Sequence, residues 1–232
     1  MKRREFCAAA LAIWTVSPEP SLAQQQPRPE FQPVTDDPAL PRVLIIGDSI
    51  SIGYTLPLRA ALKGVANVHR PPTNCAHTWK GLDQIDQWLG DGKWDVIHFN
   101  WGLWDLAYRS EQSSVYGNRD KINGTVTFTP EVYGENLEKI VLKLKQTNAQ
   151  LIFATTSYVP DGEAGRFVGD DKRYNKVATK IMKKHDVVIN KLNAKSRKIH
   201  KTYKKAEGDV HYTSEGSALL GEIVAAKIAK YL

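Results

Sequence analysis

The chain has 232 residues, with 32 Lys and Arg against 25 Asp and Glu, a formal net charge of +7, and 42% hydrophobic residues. That balance excludes a disordered or low-complexity chain and allows one domain with a full-sized core. Its two cysteines, Cys7 and Cys75, exclude a disulfide scaffold, and the modest positive charge favours anionic surroundings.

The first 23 residues predict an export signal. Lys2, Arg3 and Arg4 give a basic start, Phe6 to Val16 an apolar stretch too short to span a bilayer, and Ser21-Leu22-Ala23 a cleavage pattern. Arg3-Arg4-Glu5-Phe6 looks like a twin-arginine signal. The expectation is an exported protein, periplasmic or secreted, with no stable membrane insertion after signal removal; an uncleaved anchor is the alternative. Cleavage would leave Cys75 alone, so packing must supply the stability. Residues 24–41, rich in Pro and Gln, predict a flexible or extended leader.

From residue 42 to 232 the pattern predicts one domain. Short apolar runs at Val43–Ile46, Val65–His69, Val96–Phe99, Leu151–Thr155 and Val187–Ile189 read as strands covered on both faces. Helical patterns occupy about 53–63, 82–89, 130–147, 171–185 and 213–231. Thr129-Pro130-Glu131 supplies a hydroxyl cap, a first-turn proline and a first-turn acid, and Leu137, Ile140, Val141 and Leu144 follow at helical spacing. The alternation predicts a three-layer α/β/α sandwich with a flavodoxin-like parallel sheet of about five strands. Tyr108 to Phe128 is polar and aperiodic and reads as a long loop bordering a site.

In such a sheet ligands bind at the carboxyl ends of the strands. Gly47-Asp48-Ser49 follows the first strand, Asn100-Trp101-Gly102-Leu103-Trp104-Asp105 the third, and Thr156-Ser157 the fourth. Asp209-Val210-His211 precedes the last helix. A hydroxyl, an amide, an acid and an imidazole thus fall at one edge. Ser49 at a strand-to-helix turn would lie near free backbone N–H groups, and a base must remove its proton before it can attack. Of the six histidines, His211 alone has an acid two positions before it and a helix start after it. His69 and His98 read as packed or edge residues, and His185 and His200, in Lys-rich segments, as solvated.

These blocks resemble those of GDSL-type hydrolases, also called SGNH hydrolases, in the family's order along the chain. Gly47-Asp48-Ser49-Ile50 is similar to the nucleophile block, Asn74-Cys75-Ala76-His77-Thr78 to the second, Asn100 to Asp105 to the third, and Asp209-Val210-His211 to the last. The resemblance implies a serine esterase with Ser49 as nucleophile, His211 as base and Asp209 as the acid that orients it, and gives Asp48 a structural role. It implies oxyanion donors in the Ser49 backbone N–H, a backbone N–H of the second block, for which Ala76 is the counterpart, and an asparagine of the third. Tryptophan stands where that asparagine belongs, so the donor is expected to be Asn100, with the Trp104 indole as the other choice. The family spaces its acid and histidine by two residues, whereas one intervenes here and Gly208 holds the usual acid position. Asp209 through an altered turn and a Ser–His dyad both stay open.

Trp101, Trp104 and His77 are expected to line the substrate site, with Trp79 nearby, although tryptophans also fill cores. Arg166 follows the fourth strand and reads as ordinary loop solvation, an anionic substrate being the other use. No HExxH, CxxC pair or GxGxxG is present, so neither metal nor cofactor is expected. The expected partner is an acylated carbohydrate or small ester, with acetyl the favoured acyl group, and not nucleic acid. A catalytically impaired glycan-binding module and a lipid or thioester hydrolase are the alternatives.

Overall fold

A computed structural model describes residues 28–232. The export signal lies outside the described residues. The sheet is built from β1 (Arg42–Ile46), β2 (Asn67–His69), β3 (Val96–Phe99), β6 (Gln150–Ala154) and β7 (Val188–Asn190), all parallel, in the order β2-β1-β3-β6-β7. A separate antiparallel ribbon pairs β4 (Tyr108–Arg109) with β5 (Thr125–Val126). The described residues also form six α-helices, α1 (Ser49–Ala61), α2 (Thr78–Leu89), α3 (Pro130–Lys145), α4 (Asp170–Lys184), α5 (Leu192–Tyr203) and α6 (Ser214–Ile228), and two short 3-10 turns at Pro29–Phe31 and Tyr116–Asn118.

Right-handed crossovers decide the layers. Stepping from β1 to β2 runs one way across the sheet, so α1 covers one face. The steps through β3 and β6 to β7 run the other way, so α2, α3 and α4 cover the opposite face, where α3 packs on both of its neighbours. Helices α5 and α6 join α1 on the first face. The result is the expected α/β/α sandwich. Val43, Leu44, Ile45 and Ile46 of the interior strand β1 are at most 2% exposed; burying each such side chain contributes about 1.5–3 kcal/mol.

The helix starts are written in the sequence. Asp48 caps α1 by accepting the Ile50 N–H at 2.9 Å, which starts the helix at Ser49, four residues ahead of the apolar periodicity. His77 Nδ1 caps α2 through the Lys80 N–H, Thr129 caps α3, and Thr213 caps α6 through the Gly216 N–H at 3.2 Å. β2 begins at Asn67 because residues 62–65 turn, leaving Val65 exposed.

Three expectations needed revision. Helix α5 was not anticipated: its buried positions Leu192, Ser196 and His200 recur every fourth residue, but only the first is apolar. His200 is accordingly buried, not solvated, with Nε2 at 2.6 Å from the Asp209 carbonyl and its ring edge-on to Tyr212. Within the expected leader, residues 28–41 are fastened to the domain. Arg59 donates to the Pro29 and Gln32 carbonyls, Asn67 donates to those of Asp37 and Leu40, and Asp36 pairs with Arg42 at 2.7 Å and His69 at 2.5 Å.

Helices α1 and α6 pack so closely that a Cβ on Gly221 would meet Pro57 Cβ at 2.9 Å and the Leu58 backbone at 3.1 Å. This approach brings the start of α1, with Ser49, beside the segment that leads into α6. The sheet reverses its winding direction at β1 and β3, and Ile46 and Phe99 end those strands in register. The crevice between them is where such sheets bind ligands.

Candidate active site

Ser49 and His211, 162 positions apart in sequence, meet at that crevice: Ser49 Oγ lies 2.8 Å from His211 Nε2. His211 Nδ1 lies 2.6 Å from Asp209 Oδ1, which also accepts the His211 backbone N–H at 3.0 Å. Aspartate accepts only, so Nδ1 carries the ring proton and Nε2 presents its lone pair to the serine hydroxyl. Burial works to raise the Asp209 carboxyl, but the hydrogen bonds from His211 outweigh it and hold the group below the ordinary carboxylate range.

One intervening residue suffices between acid and imidazole because the turn is tight. Gly208 has φ +68°, and a Cβ there would sit 2.6 Å from the Gly162 carbonyl oxygen. No side chain fits at 208, so the carboxylate moves to 209, where the His200 contact supports its carbonyl. Asp48 is buried beneath the serine; desolvation raises its carboxyl, with the Ile50 N–H, Arg166, His211 and Arg70 pulling the other way. Its Oδ2 makes no hydrogen bond.

The dyad opens onto a cleft of about 910 Å³, lined among others by Asn74, Leu103, Trp104 and Arg166. Ser49 is the first residue of α1, where no intrahelical acceptor exists, so its N–H points free at the serine's own end of the helix. The other expected donors are engaged. The Ala76 N–H donates to Asn74 Oδ1 at 2.9 Å in a left-handed turn (φ 47°). Asn100 Nδ2 donates to the Ala154 carbonyl at 2.7 Å, across β6 and away from β1. In their place Asn74 and Trp104 put side-chain donors on the cleft wall that make no hydrogen bond among the described residues. Asn74 turns its oxygen to Ala76, which leaves Nδ2 for the cleft, and the Trp104 indole also lines it. Sequence reasoning missed Asn74, although it lay inside the second block.

Two expected substrate contacts belong elsewhere. Trp101 is fully buried and donates its indole N–H to the Cys75 carbonyl at 3.2 Å. His77 is a helix cap packed edge-on against Phe128. Trp79 is exposed and outside the cleft. Arg166, expected in solvent, is 5% exposed; it donates through Nε to the Leu103 carbonyl at 2.7 Å and through Nη1 to Glu163 at 2.9 Å. The polar segment 108–128 borders the cleft through Arg109, Tyr116, Gly117 and Arg119.

Asp105, the last residue of the third block, anchors the floor away from solvent. Its Oδ1 accepts the Thr78 N–H at 2.9 Å and the Thr78 hydroxyl at 2.5 Å, while Oδ2 has no partner. Burial pushes its carboxyl up to about 7. Between its ordinary 3.8 and about 7 the folded protein keeps a proton that the unfolded chain has lost. The group's contribution to stability therefore falls as pH rises through that window. Asp105→Asn should remove this slope: in calorimetric scans, the melting temperature of the variant relative to wild type should be more favourable at pH 8 than at pH 5. An unchanged or reversed difference would remove Asp105 from the pH response.

Among the described residues no group of three or more His, Cys, Asp or Glu is placed to hold a metal, and no helix is long and apolar enough to cross a membrane.

No protein-family model matches the sequence, and the search of curated proteins returned no match. Solved structures do match. The acetyl xylan esterase AlAXEase superposes with a TM-score of 0.64 at 14% identity, over 81% of this chain and 99% of the other. A lipase/acylhydrolase from Enterococcus faecalis gives 0.63 at 18%, over 82% and 96%. Axe2, an acetylxylan esterase from Geobacillus stearothermophilus, gives 0.62 at 16%, over 81% and 94%. At these identities the likeness concerns the fold: the chain has the three-layer α/β/α hydrolase fold that these esterases and the acylhydrolase share.

Proposed function

We propose that the protein is a serine ester hydrolase of the SGNH/GDSL type, exported from the cell, that removes acyl groups, acetyl foremost, from a carbohydrate. The observation that carries this reading is the hydrogen-bonded series Ser49–His211–Asp209 at the mouth of a cleft. The neighbouring structures are acetylxylan esterases and a lipase/acylhydrolase, which supports ester chemistry on this fold.

The geometry supports the following cycle. Ser49 Oγ attacks the acyl carbon as its proton passes to His211 Nε2. The imidazolium is stabilised by Asp209. The carbonyl oxygen gains a negative charge, met by the Ser49 N–H and by the unpartnered donors of Asn74 and Trp104. The bond to the alcohol breaks, and the alcohol leaves with the proton from His211. Water then attacks the acyl-enzyme, giving its proton to His211, and the carboxylic acid departs as Ser49 recovers its hydrogen.

The engagement of Ala76 and Asn100 favours a second reading, a glycan-binding module with impaired catalysis. Incubation with p-nitrophenyl acetate and a panel of acetylated glycans separates the two. Acetate release from a glycan supports the esterase; activity confined to long-chain lipid esters would replace the carbohydrate substrate, and no turnover of any ester would favour the binding module.

A further inference from the structure

We propose that the substrate bears a carboxylate on the sugar that holds the acyl group, and that Arg166, Arg109 and Arg119 form its subsite beside Ser49. The inference rests on the esterase reading and narrows it to esters of uronate-containing glycans.

The cleft that holds Ser49 and His211 is also lined by Arg28, Arg109, Arg119, Arg166 and Lys205, with Glu215 the one acidic side chain on its wall among the described residues. Arg28 is neutralised by Glu30 at 2.8 Å. Behind the wall, the buried Glu163 contacts both Arg119 and Arg166, and the buried Asp48 adds a longer-range attraction to Arg166. Arg109 has no carboxylate partner among the described residues. It donates to Thr127 Oγ1 at 3.2 Å and to the Gly117 carbonyl, and its guanidinium lies 4.8 Å from the centre of the Trp104 ring. The cleft therefore holds an excess of positive charge that the protein does not balance.

Arg166 gives this excess a direction. Its Nε and Nη1 are fixed on Leu103 and Glu163, while Nη2 makes no hydrogen bond, on a side chain that is 5% exposed and lines the cleft. The free Nη2 of a buried guanidinium is costly to leave unpaired and suits a carboxylate oxygen through a charge-assisted hydrogen bond. A neutral sugar could offer that nitrogen a hydroxyl acceptor but no charge to balance the guanidinium. Leu103 and Trp104, on the same wall, offer an apolar surface for the sugar ring.

Titration calorimetry at low ionic strength tests this with unacetylated oligogalacturonate, a xylo-oligosaccharide and a sulfated galacto-oligosaccharide of equal length. Oligogalacturonate is expected to bind the wild-type protein at least about tenfold more tightly than the neutral sugar. That binding should weaken with added salt and fall by about tenfold in Arg109→Gln and in Arg166→Gln. Arg109→Gln keeps the test open if the buried variant fails to fold. Equal or absent binding of the acidic and neutral sugars overturns the inference, as does binding of the sulfated sugar alone. Failure to hydrolyse p-nitrophenyl acetate would sink the esterase reading instead, and oligogalacturonate binding by that inactive protein would still support the anionic subsite.

Discussion

Ser49→Ala and His211→Ala are each expected to lower kcat/KM for ester hydrolysis by about 10⁴-fold or more, with folding intact. The argument is chemical. An unassisted serine hydroxyl is a poor nucleophile, and the imidazole at 2.8 Å is the one base in reach of its proton. Because the two act as one unit, removing either should cost nearly as much as removing both, and the double variant should be little worse than the singles; in another serine hydrolase each loss amounts to about 10⁶. Asp209→Asn should retain more activity, with a loss between about 10² and 10⁴, since it disturbs the ring tautomer and not the nucleophile. Neither Ser49 nor His211 holds the core together: Ser49 is half-buried at a helix start capped by Asp48, and the His211 side chain is 39% exposed. Melting temperatures of both variants should therefore stay near wild type. Near-wild-type rates in His211→Ala would show that the base is another group.

The second large effect concerns stability. Glu163 is fully buried, contacts Arg119 and Arg166 through Oε1, and accepts the Gly165 N–H through Oε2 at 2.7 Å. Removing one member of a buried ion pair costs about 3–5 kcal/mol, because the remaining charge is left without a partner. Glu163→Ala is thus expected to lower the melting temperature by about 10 °C for a domain of this size. Glu163→Gln, which keeps an oxygen toward the arginines but not the charge, should fall between. The exposed pair of Lys143 and Asp86 sets the contrast: solvent screens it, and Asp86→Asn should leave the melting temperature almost unchanged. A loss no larger for Glu163→Ala than for Asp86→Asn would mean that the two arginines find other partners or water, and that the cleft wall is not held by this charge.

Much of this architecture was legible because its signals are local. Continuous apolar runs mark strands covered on both faces, and Thr129, read as a hydroxyl cap, marks the start of α3. The pairing of Ser49 with His211 was implied by the resemblance to the GDSL-type blocks, and the rule about strand ends gave the edge at which it would lie. What escaped depends on direction and partnership. Asn100 ends the right strand, yet its amide turns to Ala154 because a carbonyl at the end of β6 stands within reach. Asn74 reaches the cleft because its oxygen is committed to the turn at Ala76. Arg166 sits in a segment whose composition reads as solvent loop, but Glu163, three residues earlier, draws it inside. Helix α5 buries Ser196 and His200 in place of apolar side chains, so its periodicity carries no hydrophobic signal.

Treatment with a fluorophosphonate, followed by mass spectrometry of the digested protein, addresses the nucleophile most directly. The adduct should appear on the peptide containing Ser49, vanish in Ser49→Ala and form far more slowly in His211→Ala. A wild-type protein that stays unlabelled, or one labelled equally well without the Ser49 hydroxyl, would contradict the assignment.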